Sequence, residues 1–460
     1  MTQLTRRDFV KTSGAALGAA AIPGVASLAQ AQGIKQAADV DQTLRVLSIG
    51  VGGIGGLDRA QVSSHPKAQI VGLVDVDTKI LESVKAKNAD AFTDTDYRRV
   101  FADRKDEFDA VLVSTPDHHH APMVLTALAH DKHVYAQKPL VQQLEELQMI
   151  DTAIAAKPSL KTQTGNQRMK ELGRRAAVEI LRRNMLGPVR EAWCWTASNR
   201  GRVVEPKMPE VKQAPEHLDW DLWLGAAPQV PYRDGMAHNN WRSWWEYGTG
   251  SLGDWGIHLL DVIFYSYPEL KHPYSVKVQT PRASSWHHSG HNMSTTTYLV
   301  EDLDRFSNDF FPIYFNDSRI APSMAALGVR AERWLDGNMT VVVCEEGTLT
   351  LAAGGNIEVW QNGEMTKGWN MPGLPDLPRF NHWHAWVDAC LTGGDENVWT
   401  PFEQGSRMTE CCLIAAKATR FPNTELIWDR KTLTFPNKQK ATDTIVRRSY
   451  RDGFGPPALS

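Results

Sequence analysis

The chain has 460 residues, of which 42% are hydrophobic and 22% charged, which is enough apolar content for two globular domains with proper cores. Its formal charge of -3 offers no basic surface to neutralise a phosphate backbone, which argues against nucleic acid as a partner. Five cysteines (Cys194, Cys344, Cys390, Cys411 and Cys412), odd in number and without a close-spaced framework, argue against a disulfide scaffold and a zinc site.

In chain order, Thr5-Arg6-Arg7-Asp8-Phe9 precedes an Ala- and Gly-rich apolar run that reaches Ala29-Gln30-Ala31. That order is n-region, h-region and A-x-A site, and the paired arginines read as a twin-arginine signal over residues 1–31. The expectation is export of a folded chain by the twin-arginine machinery, to the periplasm in a bacterial host, with a cofactor captured beforehand. No later stretch is long and apolar enough to span a bilayer.

After a polar linker at 32–42, short apolar runs at 44–49, 69–74, 110–114 and 133–136, and a weaker one at 161–164, alternate with helical patterns at 80–88, 121–130 and 144–156. This alternation predicts βαβ units, hence an α/β Rossmann domain with a doubly wound parallel sheet over 43–165. Strand-like pieces then follow at 190–196, 274–279, 295–300, 339–344, 348–351 and 357–361 without long helices between them. They predict an α+β domain over 166–435 with a large, mostly antiparallel sheet and one open face, which offers a surface for a homodimer or homotetramer. Helices at 382–391 and 403–419 are expected to close this domain or pack back on the first, with a tail at 436–460.

Gly50-Val51-Gly52-Gly53-Ile54-Gly55 fits G-x-G-x-x-G directly after the first strand, where glycines permit a tight turn and let backbone N-H groups approach a pyrophosphate. Asp75, twenty positions after Gly55 at the end of the next strand, suits ribose hydroxyls and repels a 2'-phosphate. NAD is therefore favoured over NADP, although Lys79 nearby would suit the latter. The third strand ends in Ser114-Thr115-Pro116-Asp117-His118-His119-His120, at the sheet edge where such folds place ligands. Ser114, Thr115, Pro116 and His120 are expected at the cofactor. Adjacent histidines point in different directions and no Cys, Asp or Glu cluster completes a ligand set, so no metal is expected.

The next strand delivers Tyr135-Ala136-Gln137-Lys138-Pro139, and here the chain resembles the Gfo/Idh/MocA family, the glucose-fructose oxidoreductase and inositol dehydrogenase group. Lys138 matches the catalytic lysine of that family's Glu-Lys-Pro motif, and Gln137 stands where the glutamate is usual. A second signature, Gly253-Asp254-Trp255-Gly256-Ile257-His258, matches the Asp and His of the inositol dehydrogenase branch. Four positions apart, they share a helix face. The resemblance implies an enzyme in which His258 takes a hydroxyl proton, Lys138 holds the same oxygen and Asp254 orients either, as hydride leaves a secondary hydroxyl of a sugar, polyol or glycoside for a nicotinamide, which the export signal implies is tightly held. Gln137 and Lys138 are placed at the cofactor, and Asn166, Arg168, Arg242 and Trp255 at the substrate. Two other readings are a redox-neutral NAD-dependent glycosidase and a non-catalytic dinucleotide-binding protein.

Overall fold

The computed structural model describes residues 40–201, 207–238, 240–281, 285–330, 337–395 and 397–457. The expected export signal lies outside them.

The first sheet is built from β1 (Leu44–Ile49), β2 (Ala68–Val74), β3 (Phe92–Asp94), β4 (Ala110–Val113), β5 (His133–Ala136) and β6 (Thr162–Thr164). They stand in the order β3-β2-β1-β4-β5-β6 with every pairing parallel. Between them run α1 (Gly53–Ser63), α2 (Thr78–Lys85), α3 (Tyr97–Arg104), α4 (His120–Ala129) and α5 (Leu144–Ala156). β4 is buried along its whole length, which is why its sequence, Ala-Val-Leu-Val, is a continuous apolar run instead of an alternating one. Strand order reverses between β1 and β4, and a doubly wound sheet opens its ligand crevice beyond the carboxyl ends of the strands at that point.

The second sheet contains β7 (Val189–Trp195), β8 (Ser275–Gln279), β9 (Met293–Leu299), β10 (Phe310–Asn316), β11 (Met339–Cys344), β12 (Thr348–Ala352), β13 (Ile357–Gln361), β14 (Glu364–Lys367) and β15 (Glu425–Ile427). Its order is β14-β13-β12-β11-β7-β10-β9-β8-β15, antiparallel apart from the β7/β10 pair. On one face, Ser294, Thr296 and Tyr298 of β9 and Phe311, Ile313 and Phe315 of β10 are buried, whereas Thr295, Thr297, Pro312 and Tyr314 opposite are half-exposed. The open face is real, and on it Trp193 stacks on Tyr314 at 3.9 Å.

Helices cover the other face: α6 (Leu172–Arg182), α8 (Gly250–Ser266) and α10 (Phe402–Ala418), with α7 (Trp220–Leu224), α9 (His382–Thr392) and α11 (Gln439–Ile445) outside them. The strands do not simply follow one another as expected: the 17-residue α8 lies between β7 and β8. Its apolar residues are continuous around the helix because it is buried between sheet and α10, so no amphipathic period marks it. Gly256 lets α8 approach α10, since a Cβ there would strike the Cys412 sulfur. α9 leaves the second domain altogether, and its Trp383, Trp386 and Val387 share a core with Val46 and Val62 of the first. Among the described residues no helix is long and apolar enough to cross a membrane, and all five cysteines are free thiols.

Candidate active site

The crevice at the switch point is a cleft of about 470 Å³. Gly50, Gly52, Gly53 and Ile54 form its floor, with Asp75 on one side and Ser114, Thr115 and Pro116 on the other. Gly50 has φ +79°, and a Cβ on it would come within 2.6 Å of the Ser114 carbonyl oxygen. A Cβ on Gly55 would collide with the Gly50 carbonyl, so this glycine acts by letting α1 close on the turn and is not itself part of the cleft wall. Ile54 is 37% exposed at the rim. The Asp75 carboxylate accepts the Val51 N-H at 2.9 Å and the Asp77 N-H at 3.0 Å, which fixes it at the mouth of the turn while burial raises its pKa. A turn closed to side chains at Gly50 and Gly55, beside a fixed carboxylate, fits a dinucleotide with free ribose hydroxyls.

His120 does not face this space. Its two ring nitrogens meet the carbonyls of Pro139 and Thr115 at 2.7 and 2.9 Å, and it ties the β4 loop to the β5 loop; His119 lines the cleft instead. Gln137 is also turned away. Its amide donates to Asp58 of α1 at 2.8 Å, tucked against Gly165, where a Cβ would clash with it. Asp58 is fully buried and accepts from Ser114 Oγ at 2.8 Å and Trp383 Nε1 at 3.0 Å as well, with burial raising its pKa. One carboxylate thus joins the glycine-turn helix, the β4 end, the β5 end and α9.

Lys138, Asp254 and His258 do come together. The Lys138 ammonium donates to Asp254 Oδ1 at 2.7 Å and to the Asp254 carbonyl at 3.0 Å, leaving one of its three N-H donors over. Arg200 and Arg242, which line the cleft, reach the same carboxylate at 3.2 and 3.4 Å. Burial alone would raise the Asp254 pKa, but Lys138, then Arg242 and Arg200, hold it well below the usual carboxylate range. Burial lowers the Lys138 pKa, with Asp254 opposing it. His258, one helical turn on, is buried and surrounded by Lys138, Arg168 and Arg174, and its pKa is pushed well below 6.5. It is therefore a neutral imidazole at neutral pH. Its Nδ1 lies 3.1 Å from Asn166 Oδ1, while the Asn166 amide faces Asp261 at 3.4 Å. This network assigns the proton to Nδ1 and the lone pair to Nε2.

Asn166 is thus a support for His258. Arg168 sits 5.7 Å from the Trp255 ring and donates to the Ala353 carbonyl, and Trp255 stands edge-on to His258 at 6.0 Å. Sequence reading missed Asp58, Asp117, Arg174 and Arg200. Asp117, fully buried, accepts Arg242 at 3.0 Å and Thr249 Oγ1 at 2.7 Å, bridging the domains. Arg174 donates to Asp261 at 2.6 Å and to the His258 carbonyl at 2.8 Å. Asp117 stood in the Ser-Thr-Pro-Asp run and was available as a signal, whereas Arg200 lies in coil without any. No group of three or more His, Cys, Asp or Glu able to hold a metal occurs among the described residues.

Two family models match the chain: an oxidoreductase family's NAD-binding Rossmann fold over residues 44–164, and its C-terminal alpha/beta domain over 194–299. An inositol 2-dehydrogenase of Rubrobacter xylanophilus is 31% identical over 93 residues, covering 20% of this chain and 26% of that protein. A glucose-6-phosphate 3-dehydrogenase of Bacillus subtilis is 25% identical over 270 residues, covering 58% and 63%. An alpha-N-acetylgalactosaminidase of Shewanella oneidensis is 29% identical over 174 residues, covering 33% and 38%. The matches therefore span between 26% and 63% of the length of these curated relatives. The fold is shared with the solved WlbA dehydrogenase of Bordetella pertussis, crystallised with NADH and UDP-GlcNAcA, at TM-score 0.58 and 14% identity over 84% of this chain and 99% of that one.

Proposed function

The chain belongs to the Gfo/Idh/MocA oxidoreductase family, and from that premise we propose that it oxidises a secondary hydroxyl of a sugar or polyol, using NAD held in the cleft as the hydride acceptor. The observation that carries this reading is geometric: His258 presents its Nδ1 to Asn166 Oδ1, one helical turn from Asp254, whose carboxylate and carbonyl take two of the three Lys138 N-H donors and leave one over, and burial pushes the His258 pKa well below 6.5. Lys138 holds the substrate oxygen through that donor, and His258 takes the hydroxyl proton as the carbon gives up its hydride and becomes a carbonyl. Asp254, held ionised by three cations, keeps Lys138 charged and in place. Gly50, Gly52 and Gly53 with Asp75 hold the dinucleotide, and the carboxylate favours NAD over NADP.

Arg6-Arg7 and the A-x-A site support export by the twin-arginine route to the periplasm, with NAD carried inside the folded chain. The half-exposed sheet face around Trp193 and Tyr314 is the surface for a homodimer or homotetramer, and sedimentation of the purified chain as a monomer would count against it. Mixing NAD-loaded protein with a panel of sugars and polyols tests the main reading: NADH forms with at least one, and failure with all would sink it. Likeness to the alpha-N-acetylgalactosaminidase favours glycoside cleavage as a second reading. Aglycone release from aryl glycosides without net NADH would select it.

A further inference from the structure

Beyond α11 the chain turns back across the dinucleotide cleft, and Phe454, near its end, forms part of the cleft wall beside Thr95, Asp96 and Tyr97. This is the side on which Asp75 marks the ribose, so the adenosine half of a dinucleotide lies between the glycine turn and Phe454. We infer that residues 446–454 are an integral part of the dinucleotide site, a strap over its adenosine end that makes NAD a resident group instead of a freely exchanging co-substrate. The inference rests on the NAD reading above.

The strap is fastened at both ends and in the middle. The Val446 carbonyl accepts the Glu145 N-H at the start of α5. Arg448 pairs with the buried Glu146 at 2.6 Å and donates to the His118 carbonyl at 2.7 Å, behind the β4 loop that lines the cleft. Tyr450 donates to the same Glu146 oxygen at 2.8 Å. Arg451 then reaches the second domain, pairing with Asp221 of α7 at 2.8 Å and with Gln229. Finally Arg98, held by Asp96 at 2.7 Å, donates to the Gly453 carbonyl at 2.9 Å and lies 3.9 Å from the Phe454 ring, while Arg451 lies 4.5 Å from it. With guanidinium groups so near, Phe454 is fixed in position and forms a wall of the cleft, not a loose cover.

The strap spans from α5 to α7 and back to α3, so it crosses from one domain to the other and returns. Departure of the adenosine half requires the Arg451 and Arg98 contacts to open first. Binding and release are then slow, and a turnover returns the hydride to a second substrate while the dinucleotide stays in place.

The test loads the full-length protein with NADH, adds excess NAD and follows loss of bound-NADH fluorescence. In the Arg451→Ala/Phe454→Ala double variant NADH should leave on the order of tenfold faster or more. Phe454→Leu, which keeps the apolar volume, should stay close to the parent and shows that folding is intact. Higher ionic strength should accelerate release from the parent, because Arg451–Asp221 is partly exposed to screening. An off-rate unchanged within about twofold in the double variant overturns the inference and leaves the NAD reading standing. A parent protein that holds no NADH at all overturns both.

Discussion

Gln137 stands in a motif where its resemblance implies a glutamate, and its surroundings explain the exchange. Its amide donates to Asp58, a carboxylate that among the described residues has four neutral donors around it and no paired cation. A glutamate at 137 would set two buried carboxylates against each other, and one would have to take up a proton or move. Gln137→Glu should therefore cost about 1–3 kcal/mol in stability and weaken NAD binding through Ser114 and the glycine-turn helix, and adding Asp58→Asn should restore both. Urea unfolding and NAD titration of the three variants check this; a double variant no better than the single one would show the two positions to be independent. Lys138, Asp254 and His258 were legible in the sequence because each sits in a short motif at a turn or a helical repeat. Asp58 was not, because its partners lie 56 to 325 residues away and only the sheet brings them together.

At the scale of elements, α8 delivers both Asp254 and His258, and its rotation sets where the His258 lone pair points. Arg174 of α6 fixes that rotation by gripping Asp261 and the His258 carbonyl, with both Arg174 and Asp261 fully buried. Arg174→Leu leaves Asp261 as an unpaired buried charge and should cost about 3–5 kcal/mol. Whatever protein still folds should lose kcat more than NAD affinity, which unfolding curves and steady-state kinetics measure separately. Strands with continuous or alternating apolar runs, such as β1, β4, β11 and β13, were readable to within a residue. β10 was missed although it is seven residues long with alternate residues buried, and β3, β14 and β15 were missed as well, being three or four residues long and held by their neighbours more than by their own pattern. α6 was also missed, although it supplies Arg174.

At the scale of the whole molecule, burial keeps six histidines neutral. His118, His119, His120, His258, His288 and His382 are all buried, and burial lowers the pKa of each, to about 3 for His119, His288 and His382. In the unfolded chain they would take protons near the ordinary value of 6.5, so the stability they contribute is complete above that pH and is lost as pH falls below it. The histidines should lower the melting temperature by several degrees between about pH 7 and about pH 5, against an opposing contribution from Asp58, Asp75 and Asp261, whose pKa values burial raises; a melting temperature that rises over that range would show the histidines to be open to water.

The same neutrality is what lets His258 accept a proton, and it joins the fold to the chemistry. The most direct check is a single turnover: NAD-loaded protein is mixed with an oxidisable sugar or polyol and the appearance of bound NADH is timed in the parent and in Lys138→Ala. The rate should fall by about 10²-fold or more in the variant while the bound NAD remains stoichiometric. Equal rates in the two proteins would contradict the assignment of Lys138, and with it the site proposed.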